Sequence, residues 1–535
     1  VRSRIKRYED REPDVCAGIF LLSETCALSD TRGYGAVAEG ENTLTVYLGQ
    51  GWYCGRFLCE NQTQIYGEQP ADAWILELED AAGSRRLVSD ETVEELESPY
   101  EYAGEYDGEI YFADGREKVT GHAAAYTRET PFALEPTLTE VRLQDEMPVR
   151  EATVQGDVTI LDFGQNFAGI VEIDPSFLTN ETITIRHGEI LNADGSLYTA
   201  NLRKAKATIV YHAGAEKKKY RPRFTYMGFR YMELSGAAYQ PGMIRAYALH
   251  TEMERTGYFS CENPLVQKLY ENQVWGQKSN YVEVPTDCPQ RDERMGYTGD
   301  GQVFALTGAY NFNTDAFWKN FLRDLELGQL DNTEGYVCAT VPQTGPAGIG
   351  FISMLGWGNA VTILPEMMYR QFGDEEALPR QYESMKLFVE AEIRKMLHQS
   401  NQLSLGLEGG TESNAHALDD VQGFIAMNTR NHMKTSMKTV KDRFMKAPYG
   451  FVEDDVHWLV ARLFKRGDLA FTVNGAAVSL NNKSEEEIIG FITKKAFAEK
   501  LLMEERVRVS DKDKKAVRDV MKETFRATTS AEDED

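Results

Sequence analysis

Residues 284–300 carry the stretch Val284-Pro-Thr-Asp-Cys-Pro-Gln-Arg-Asp-Glu-Arg-Met-Gly-Tyr-Thr-Gly-Asp300, called the acidic segment below. Its carboxylates would repel one another unless a ligand, a metal ion or the neighbouring arginines compensated their charge. The residue types fit a solvated loop in which Asp300 caps a helix that begins near Gln302. They also fit the acid half of a site that hydrolyses glycosidic bonds, where one carboxyl stays protonated and another activates water. A calcium loop is disfavoured, because alternating acids ending in a glutamate are absent.

The acidic segment closely resembles the signature of the bacterial α-L-rhamnosidases of glycoside hydrolase family 78. The resemblance extends over residues 34–391 and is carried by further stretches on both sides. These are Gly49-Gln-Gly-Trp-Tyr-Cys-Gly-Arg56, Asp162-Phe-Gly-Gln-Asn-Phe-Ala-Gly169, Gly195-Ser-Leu-Tyr-Thr-Ala-Asn-Leu-Arg203, Arg223-Phe-Thr-Tyr-Met-Gly-Phe-Arg-Tyr231, Leu355-Gly-Trp-Gly-Asn-Ala360 and Gln371-Phe-Gly-Asp374.

The resemblance implies a multidomain protein with two β-sandwich domains followed by an (α/α)6 barrel that holds the active site. The implied activity is inverting hydrolysis of terminal α-L-rhamnosyl residues, without a cofactor or a metal ion. Glu293 is the implied general acid, and Trp357 is an aromatic wall of the site or, equally well, a buried core tryptophan. The other implied sugar-binding residues are Asp287, Arg291, Asp292 and Asp300.

Two departures from the family pattern predict an impaired enzyme. Asn359 stands where the family usually has Asp, which removes one carboxylate near the pocket. The family's general base is a Glu from the second half of the barrel, and the nearest downstream glutamates, Glu408 and Glu412, do not lie in a matching context. We therefore expect a truncated barrel without its base. The alternative is an inactive or sugar-binding remnant in a fusion protein.

Hydrophobic periodicity predicts the order of domains. Alternating runs broken by turn residues predict β-strands between residues 33 and 257. Examples are residues 43–48, 158–163, 182–186, 208–212 and 231–235. After the N-cap signal Asn263-Pro264, helical spacing predicts helices at 264–278, 301–311, 315–327, 358–371 and 375–396. We predict domains at residues 1–140, with an incomplete amino end, at 141–257 and at 258–391, the first half of the barrel.

Residues 392–535 differ in composition from the rest of the chain. They contain 23 basic and 24 acidic residues, whereas residues 1–391 contain 35 and 60. We predict a junction between residues 390 and 400 and a mostly helical region of different origin, with a hairpin at 469–475. Residues 447–458 resemble part of the P-loop ATPase of BREX phage-defence systems, but the chain has no phosphate-binding GxxxxGK[ST] loop. An ordinary helical accessory domain is the alternative.

Charge and composition narrow the class of partner. A net charge of −26 argues against nucleic acid and anionic membranes, so a neutral ligand such as a rhamnose-containing glycoside fits better. The seven cysteines lack a CxxC pair or a nearby histidine cluster, which predicts free thiols rather than disulfides or a zinc site. No apolar stretch is long enough to predict a membrane span. We predict a cytoplasmic protein.

Overall fold

The computed structural model describes residues 25–28, 45–57, 62–63, 68–70, 75–80, 83–115, 118–123, 133–136, 138–330, 335–342, 355–398, 415–506, 511–520 and 522–523. It divides the chain into two compact units. The first unit comprises residues 1–333 and 337–382, and the second comprises residues 334–336 and 383–535. Glu408 and Glu412 lie outside the described residues.

The strands of the first unit follow one another along the chain as short segments around one long central strand. They are β1 (Thr25–Leu28), β2 (Arg56–Phe57), β3 (Gln62–Thr63), β4 (Ile75–Asp80), β5 (Gly83–Val88), β6 (Glu94–Leu96), β7 (Tyr100–Gly104), β8 (Gly108–Phe112), β9 (Val119–His122), β10 (Ala133–Pro136), β11 (Val141–Met147), β12 (Glu151–Gln155), β13 (Val158–Ile173), β14 (Thr182–Gly188), β15 (Thr208–His212), β16 (Met227–Ser235), β17 (Ile244–Thr251), β18 (Tyr281–Val282), β19 (Val284–Pro285), β20 (Gly296–Tyr297) and β21 (Thr340–Val341).

Nine of these strands form the main sheet, in the order β11-β17-β13-β16-β14-β15-β8-β7, with β12 paired to β13. Side chains alternate between the two faces of the sheet. In β14, Ile183 and Ile185 are buried, while Thr184 between them is partly exposed. The buried side chains, including the rings of Phe163, Phe167 and Phe229, form one apolar core. Burying each such ring stabilises the fold by roughly 1.5–3 kcal/mol.

The alternating runs at 158–163, 182–186, 208–212 and 231–235 all lie in strands of this sheet, which confirms those predictions. The run at 43–48 was wrongly predicted as a strand, since its described residues, 45–48, form none. The ring of Tyr47 lies edge-on to Tyr100 at 6.2 Å and beneath the guanidinium of Arg223.

The turn between β7 and β8 brings residues from early in the chain into the main apolar core of the first unit. β8 pairs with β15 in parallel, with Thr208 opposite Gly108. Strands β7 and β8 precede residue 141, where we predict the second β-domain to begin. The turn places the fully buried ring of Tyr106 in the main core, which fixes the position of its hydroxyl.

Apart from α1, the helices of the first unit follow strand β17 along the chain. They are α1 (Gly51–Cys54), α2 (Pro264–Asn280), α3 (Thr298–Asn311), α4 (Asp315–Leu330), α5 (Leu355–Gly358), α6 (Ala360–Phe372) and α7 (Ala377–His398), which crosses into the second unit. The five predicted helices correspond to α2, α3, α4, α6 and α7. The predicted cap is confirmed, because Asn263 Oδ1 accepts hydrogen bonds from the amides of Leu265 and Val266. Asp300 lies in the first turn of α3, whose N-cap is Tyr297, and so does not cap the helix.

The second unit combines helices with a small sheet. Its helices are α8 (Ala415–Arg430), α9 (Met437–Phe444), α10 (Glu453–Lys465), α11 (Glu485–Thr493) and α12 (Asp511–Val520), and its strands are β22 (Thr435–Ser436), β23 (Leu469–Val473), β24 (Ala476–Val478) and β25 (Leu501–Glu505). The predicted hairpin is present: β23 and β24 pair across Asn474-Gly475, whose φ angles of 50° and 81° suit a tight turn. Within the described part of the chain, no helix combines the length and apolarity that a membrane crossing needs.

The main sheet comes close to the acidic segment at Gly228 of β16. A Cβ placed on Gly228 would lie 2.7 Å from Pro289 Cγ and 2.9 Å from the amide nitrogen of Gln290. Real Cβ atoms do not come this close to backbone, so only glycine lets the segment rest on the sheet. This contact couples the position of the segment to the core.

We expect Gly228→Ala to lower the free energy of unfolding by about 1–3 kcal/mol, because the added methyl forces the acidic segment off the sheet. Gly276→Ala is the matched control, since its Cβ would meet nothing within 4 Å and alanine favours the helix. Urea unfolding followed by tryptophan fluorescence measures both. Equal effects of the two changes would contradict the close-contact explanation.

Candidate active site

Arg291 holds two carboxylates of the acidic segment side by side. Its Nε donates to Glu293 Oε2 at 2.5 Å, and its Nη2 donates to Asp287 Oδ2 at 3.0 Å. The side chains of Asp287 and Glu293 are largely buried, with 8% and 13% of their surfaces exposed. The structure therefore brings together three of the predicted site residues on one guanidinium.

Glu293 also forms an ion pair and hydrogen bonds with other residues of the first unit. Arg203 Nη1 lies 2.9 Å from Glu293 Oε2, the oxygen that Arg291 also contacts. The hydroxyl of Tyr297 donates to Glu293 Oε1 at 2.9 Å, and the hydroxyl of Tyr106 donates to the backbone oxygen of Glu293 at 3.1 Å. Both carboxylate oxygens and the main chain of Glu293 are thus fixed.

Asp292 lies beside a different arginine. Its side chain is completely buried, and Arg56 Nη1 lies 3.5 Å from Oδ2. Arg56 in turn donates to Asp107 Oδ1 at 2.8 Å. Asp292 was predicted to bind sugar, but this burial favours a supporting role beneath the segment.

Arg294 anchors the segment from below. It has a left-handed backbone, with φ at 51°, and a fully buried side chain. Its Nη1 donates to the backbone oxygens of Tyr226, at 2.5 Å, and Glu105, at 3.0 Å. Its Nε and Nη2 donate to the backbone oxygens of Arg291 and Gln290. One guanidinium therefore ties the loop to the main sheet.

The two remaining predicted site residues occupy different surroundings. Trp357 of α5 is partly buried and packs against the apolar cluster that contains Phe57, Met295 and Tyr297. A Cβ on Gly299 would lie 2.5 Å from the Trp357 ring, so only glycine admits the indole there. Asp300 is exposed, and among the described residues it makes no hydrogen bond or ion pair with Glu293 or Arg291.

Three protein-family models match the chain in succession. The α-L-rhamnosidase N-terminal domain matches residues 35–153, the bacterial α-L-rhamnosidase concanavalin-like domain matches residues 152–250, and the bacterial α-L-rhamnosidase six-hairpin glycosidase domain matches residues 254–444. The chain carries bacterial α-L-rhamnosidase domains. The last match crosses the predicted junction at 390–400.

Individual rhamnosidases agree with this result. The chain is 36% identical over 361 residues to an α-L-rhamnosidase of Streptomyces avermitilis, covering 64% of this chain and 34% of that protein. An α-L-rhamnosidase of Formosa agariphila is 32% identical, with 66% of this chain and 40% of that protein covered. The chain thus spans about a third to two fifths of these relatives' length.

Solved rhamnosidase structures share the fold. The Streptomyces avermitilis α-L-rhamnosidase in complex with L-rhamnose has a TM-score of 0.61 and 30% identity, covering 78% of this chain and 43% of that one. The Aspergillus terreus enzyme has a TM-score of 0.58 and 31% identity, covering 64% and 41%. The chain therefore has a multidomain rhamnosidase fold, with a sandwich-like sheet domain and a helical six-hairpin region.

The sequence alone did not identify every residue that contacts Glu293. Arg203, Tyr106 and Tyr297 contact it, and Arg56 contacts its neighbour Asp292. Arg203 and Arg56 each end a stretch that carries the family resemblance. This position is the sequence signal that could have marked them as site residues. Their distance along the chain hides their contact with the acidic segment.

The environment sets opposite pKa shifts on the two paired carboxyls. Burial raises the pKa of Asp287 to about 6, and the nearby charge of Glu293 adds to the rise. Burial also acts to raise the pKa of Glu293, but the hydrogen bonds from Tyr297 and Arg291 and the charges of Arg291 and Arg203 outweigh it. The pKa of Glu293 is therefore lowered, which favours its carboxylate form.

A metal ion fits this site poorly. In the described part of the chain, the group of possible ligands consists of Asp287, Cys288 and Glu293, whose ligand atoms lie within 4.8 Å of one another. Burial and the Asp287 carboxylate raise the pKa of the Cys288 thiol to about 12, so it stays protonated. Arg291 already supplies the positive charge that a cation would bring.

The ion pair of Asp292 yields a stability prediction. We expect Arg56→Met to lower the free energy of unfolding by about 3–5 kcal/mol, because it leaves a buried carboxylate without its cation. Adding Asp292→Asn should recover part of this loss. Arg142→Met, at a site whose side chain is 45% exposed, is the control and should cost about 1 kcal/mol or less. Equal losses for Arg56→Met and Arg142→Met in urea unfolding would contradict the role of Arg56.

The raised pKa of Asp287 predicts a pH dependence of stability. A carboxyl whose folded pKa exceeds its unfolded value stabilises the fold fully below the unfolded pKa, and this contribution is lost as the pH rises through about 6. Asparagine cannot ionise, so Asp287→Asn does not lose stability in this way. The variant should therefore gain stability relative to the parent protein between pH 4 and 7.

Asp162→Asn is an opposite-sign control for this experiment. Hydrogen bonds from Arg230 lower the pKa of Asp162, so its contribution is present above the unfolded pKa and is lost on acidification. This variant should lose stability relative to the parent protein as the pH rises. Thermal unfolding across the pH range measures both, and parallel curves for Asp287→Asn and the parent would refute the shift.

Proposed function

We propose that the rhamnosidase domains of this chain bind a terminal α-L-rhamnosyl residue and hydrolyse its glycosidic bond with inversion, with Glu293 as the proton donor. The observation that carries this proposal is the pair of Asp287 and Glu293 on the guanidinium of Arg291, within a segment that matches a glycosidase domain. The substrate is a rhamnose-containing glycoside. The complex of the Streptomyces avermitilis relative with L-rhamnose supports this choice.

Sugar recognition in this proposal uses charged groups for the hydroxyls and a ring for the apolar face. Asp287 and Arg291 are the charged groups that this proposal assigns to the sugar hydroxyls, and Arg291 contacts both carboxylates. Trp357, next to Tyr297, offers its indole to a face of the sugar. Asp300 would take part from the exposed first turn of α3, which requires the sugar to reach beyond the carboxylate pair.

Asp287 is unsuited to be the general base. Inverting hydrolysis leaves room for a water between two carboxyls about 6.5–9.5 Å apart. Ligand oxygens of Asp287 and Glu293 lie within 4.8 Å. Both also bind one guanidinium, so they approach the sugar from the same side and cannot flank its ring as acid and nucleophile do. We assign no general base among the described residues.

The rival proposal is a protein that binds rhamnose without hydrolysing it. The lowered pKa of Glu293 favours this rival, because the contacts that lower it stabilise the carboxylate over the acid form that donates a proton. An enzyme would need the pKa of Glu293 to rise when the sugar binds. Hydrolysis and binding can be measured separately.

We expect the protein to release nitrophenol from p-nitrophenyl α-L-rhamnoside, and Glu293→Gln to slow release by about 10²–10⁴-fold. Glu233→Gln is the matched control: Glu233 pairs with Arg186 and is 15% exposed, but it lies outside the candidate site. Release unaffected by Glu293→Gln would refute its role as acid. No release, with L-rhamnose still raising the unfolding temperature, would establish the binding function instead.

A further inference from the structure

The contacts of Arg203 differ from those of the other groups around Glu293. Arg291 also holds Asp287, and Tyr297 is a buried residue of β20. Arg203 is 41% exposed, and among the described residues its guanidinium pairs with Glu293. It can therefore leave Glu293 without breaking a second ion pair.

The main chain at Arg203 adds an independent observation. Arg203 follows a 3-10 turn at Ala200–Leu202 with φ at 58° and ψ at −110°, outside the regions that non-glycine residues prefer. Such a conformation is strained and persists where surrounding structure enforces it. Leu202 and Ala205, on either side, are buried in the main core. The fold thus aims the exposed guanidinium at Glu293.

We propose that Arg203 is a positioning residue that pairs with Glu293 in the free protein and leaves it when a sugar ring enters. This inference rests on the proposed function and adds to it a control of the acid. On release, Glu293 takes one proton from solvent, and Arg203 keeps its own charge. Arg291 and Tyr297 continue to orient the carboxyl.

The geometry links this exchange to acid catalysis. Two guanidinium groups contact the same oxygen, Oε2, and Tyr297 donates to the other oxygen. All three contacts favour the charged carboxylate, so losing the contact with Arg203 makes protonation of Glu293 easier. The titratable or charged groups that face Glu293 are Asp287, Cys288, Arg291, Tyr297, Arg203 and Tyr106.

The test is the affinity for L-rhamnose, measured by calorimetry between pH 4 and 8. Arg203→Gln removes the contact that the sugar has to displace, so binding at pH 7.5 should tighten by about two- to fivefold, as expected for an exposed ion pair. A residue that bound the sugar, or that only supported the fold, would weaken binding when changed. Weaker or unchanged binding by Arg203→Gln would overturn the proposal.

The pH dependence provides the second readout. Affinity should rise on acidification and level off near the pKa of Glu293 in the free protein. Arg203→Gln should move this bend to higher pH, because a neighbouring cation is gone, whereas Arg203→Lys, which keeps the charge, should restore it. Glu293→Gln should lack the bend. An unmoved bend in Arg203→Gln would also overturn the proposal.

Arg186→Gln is the matched control. Arg186 Nη1 pairs with Glu233 Oε1 at 2.8 Å and is 42% exposed, which closely resembles the pair of Arg203 and Glu293. It should change neither the affinity nor the bend. If the unaltered protein does not bind L-rhamnose, the proposed function fails and this inference falls with it. Binding with no dependence on Arg203 refutes the inference alone.

Discussion

A fully buried guanidinium fixes the geometry of the candidate site. Arg294 donates to main-chain oxygens of the β7–β8 turn, of the approach to β16 and of the acidic segment itself. Burying a cation is unfavourable unless its donors are satisfied, and removing a partner from such a group commonly costs several kcal/mol. The loop is therefore held against the sheet, and Gly228 allows the close approach that this contact needs. Without this anchor the paired carboxyls would have no fixed position relative to Arg203 or Tyr106.

The same anchor determines how negative charge is balanced. Asp287 and Glu293 share Arg291, Glu293 has Arg203 as a second cation, and Asp292 has Arg56 beside it. Arginine suits this task because its planar fork contacts two carboxylates at once and stays charged at all relevant pH values. The balance is uneven, so the lower pKa falls on Glu293 and the higher one on Asp287.

Periodicity and cap signals predicted much of the fold, because these patterns act within one element. Strands β13 to β16 and the helix that follows Asn263 were predicted from alternation and from an N-cap with proline after it. The prediction for residues 43–48 was wrong, since alternation within one segment does not provide a neighbouring strand to pair with. Boundaries were harder. The composition changes near residue 391, the compact units divide at 382, and the six-hairpin match continues to 444. Each boundary reports a different property of the chain.

The candidate site was predictable only as far as its local sequence extends. The spacing of Asp287, Arg291 and Glu293 within one short segment allowed their contact to be expected from the motif. The protonation state of Glu293 depends on Arg203, which a strained 3-10 turn places beside it from a remote part of the sheet domain. No spacing rule connects these residues, because the contact exists only once the main sheet has formed. A motif can therefore nominate the acid, but the fold decides whether that acid holds its proton.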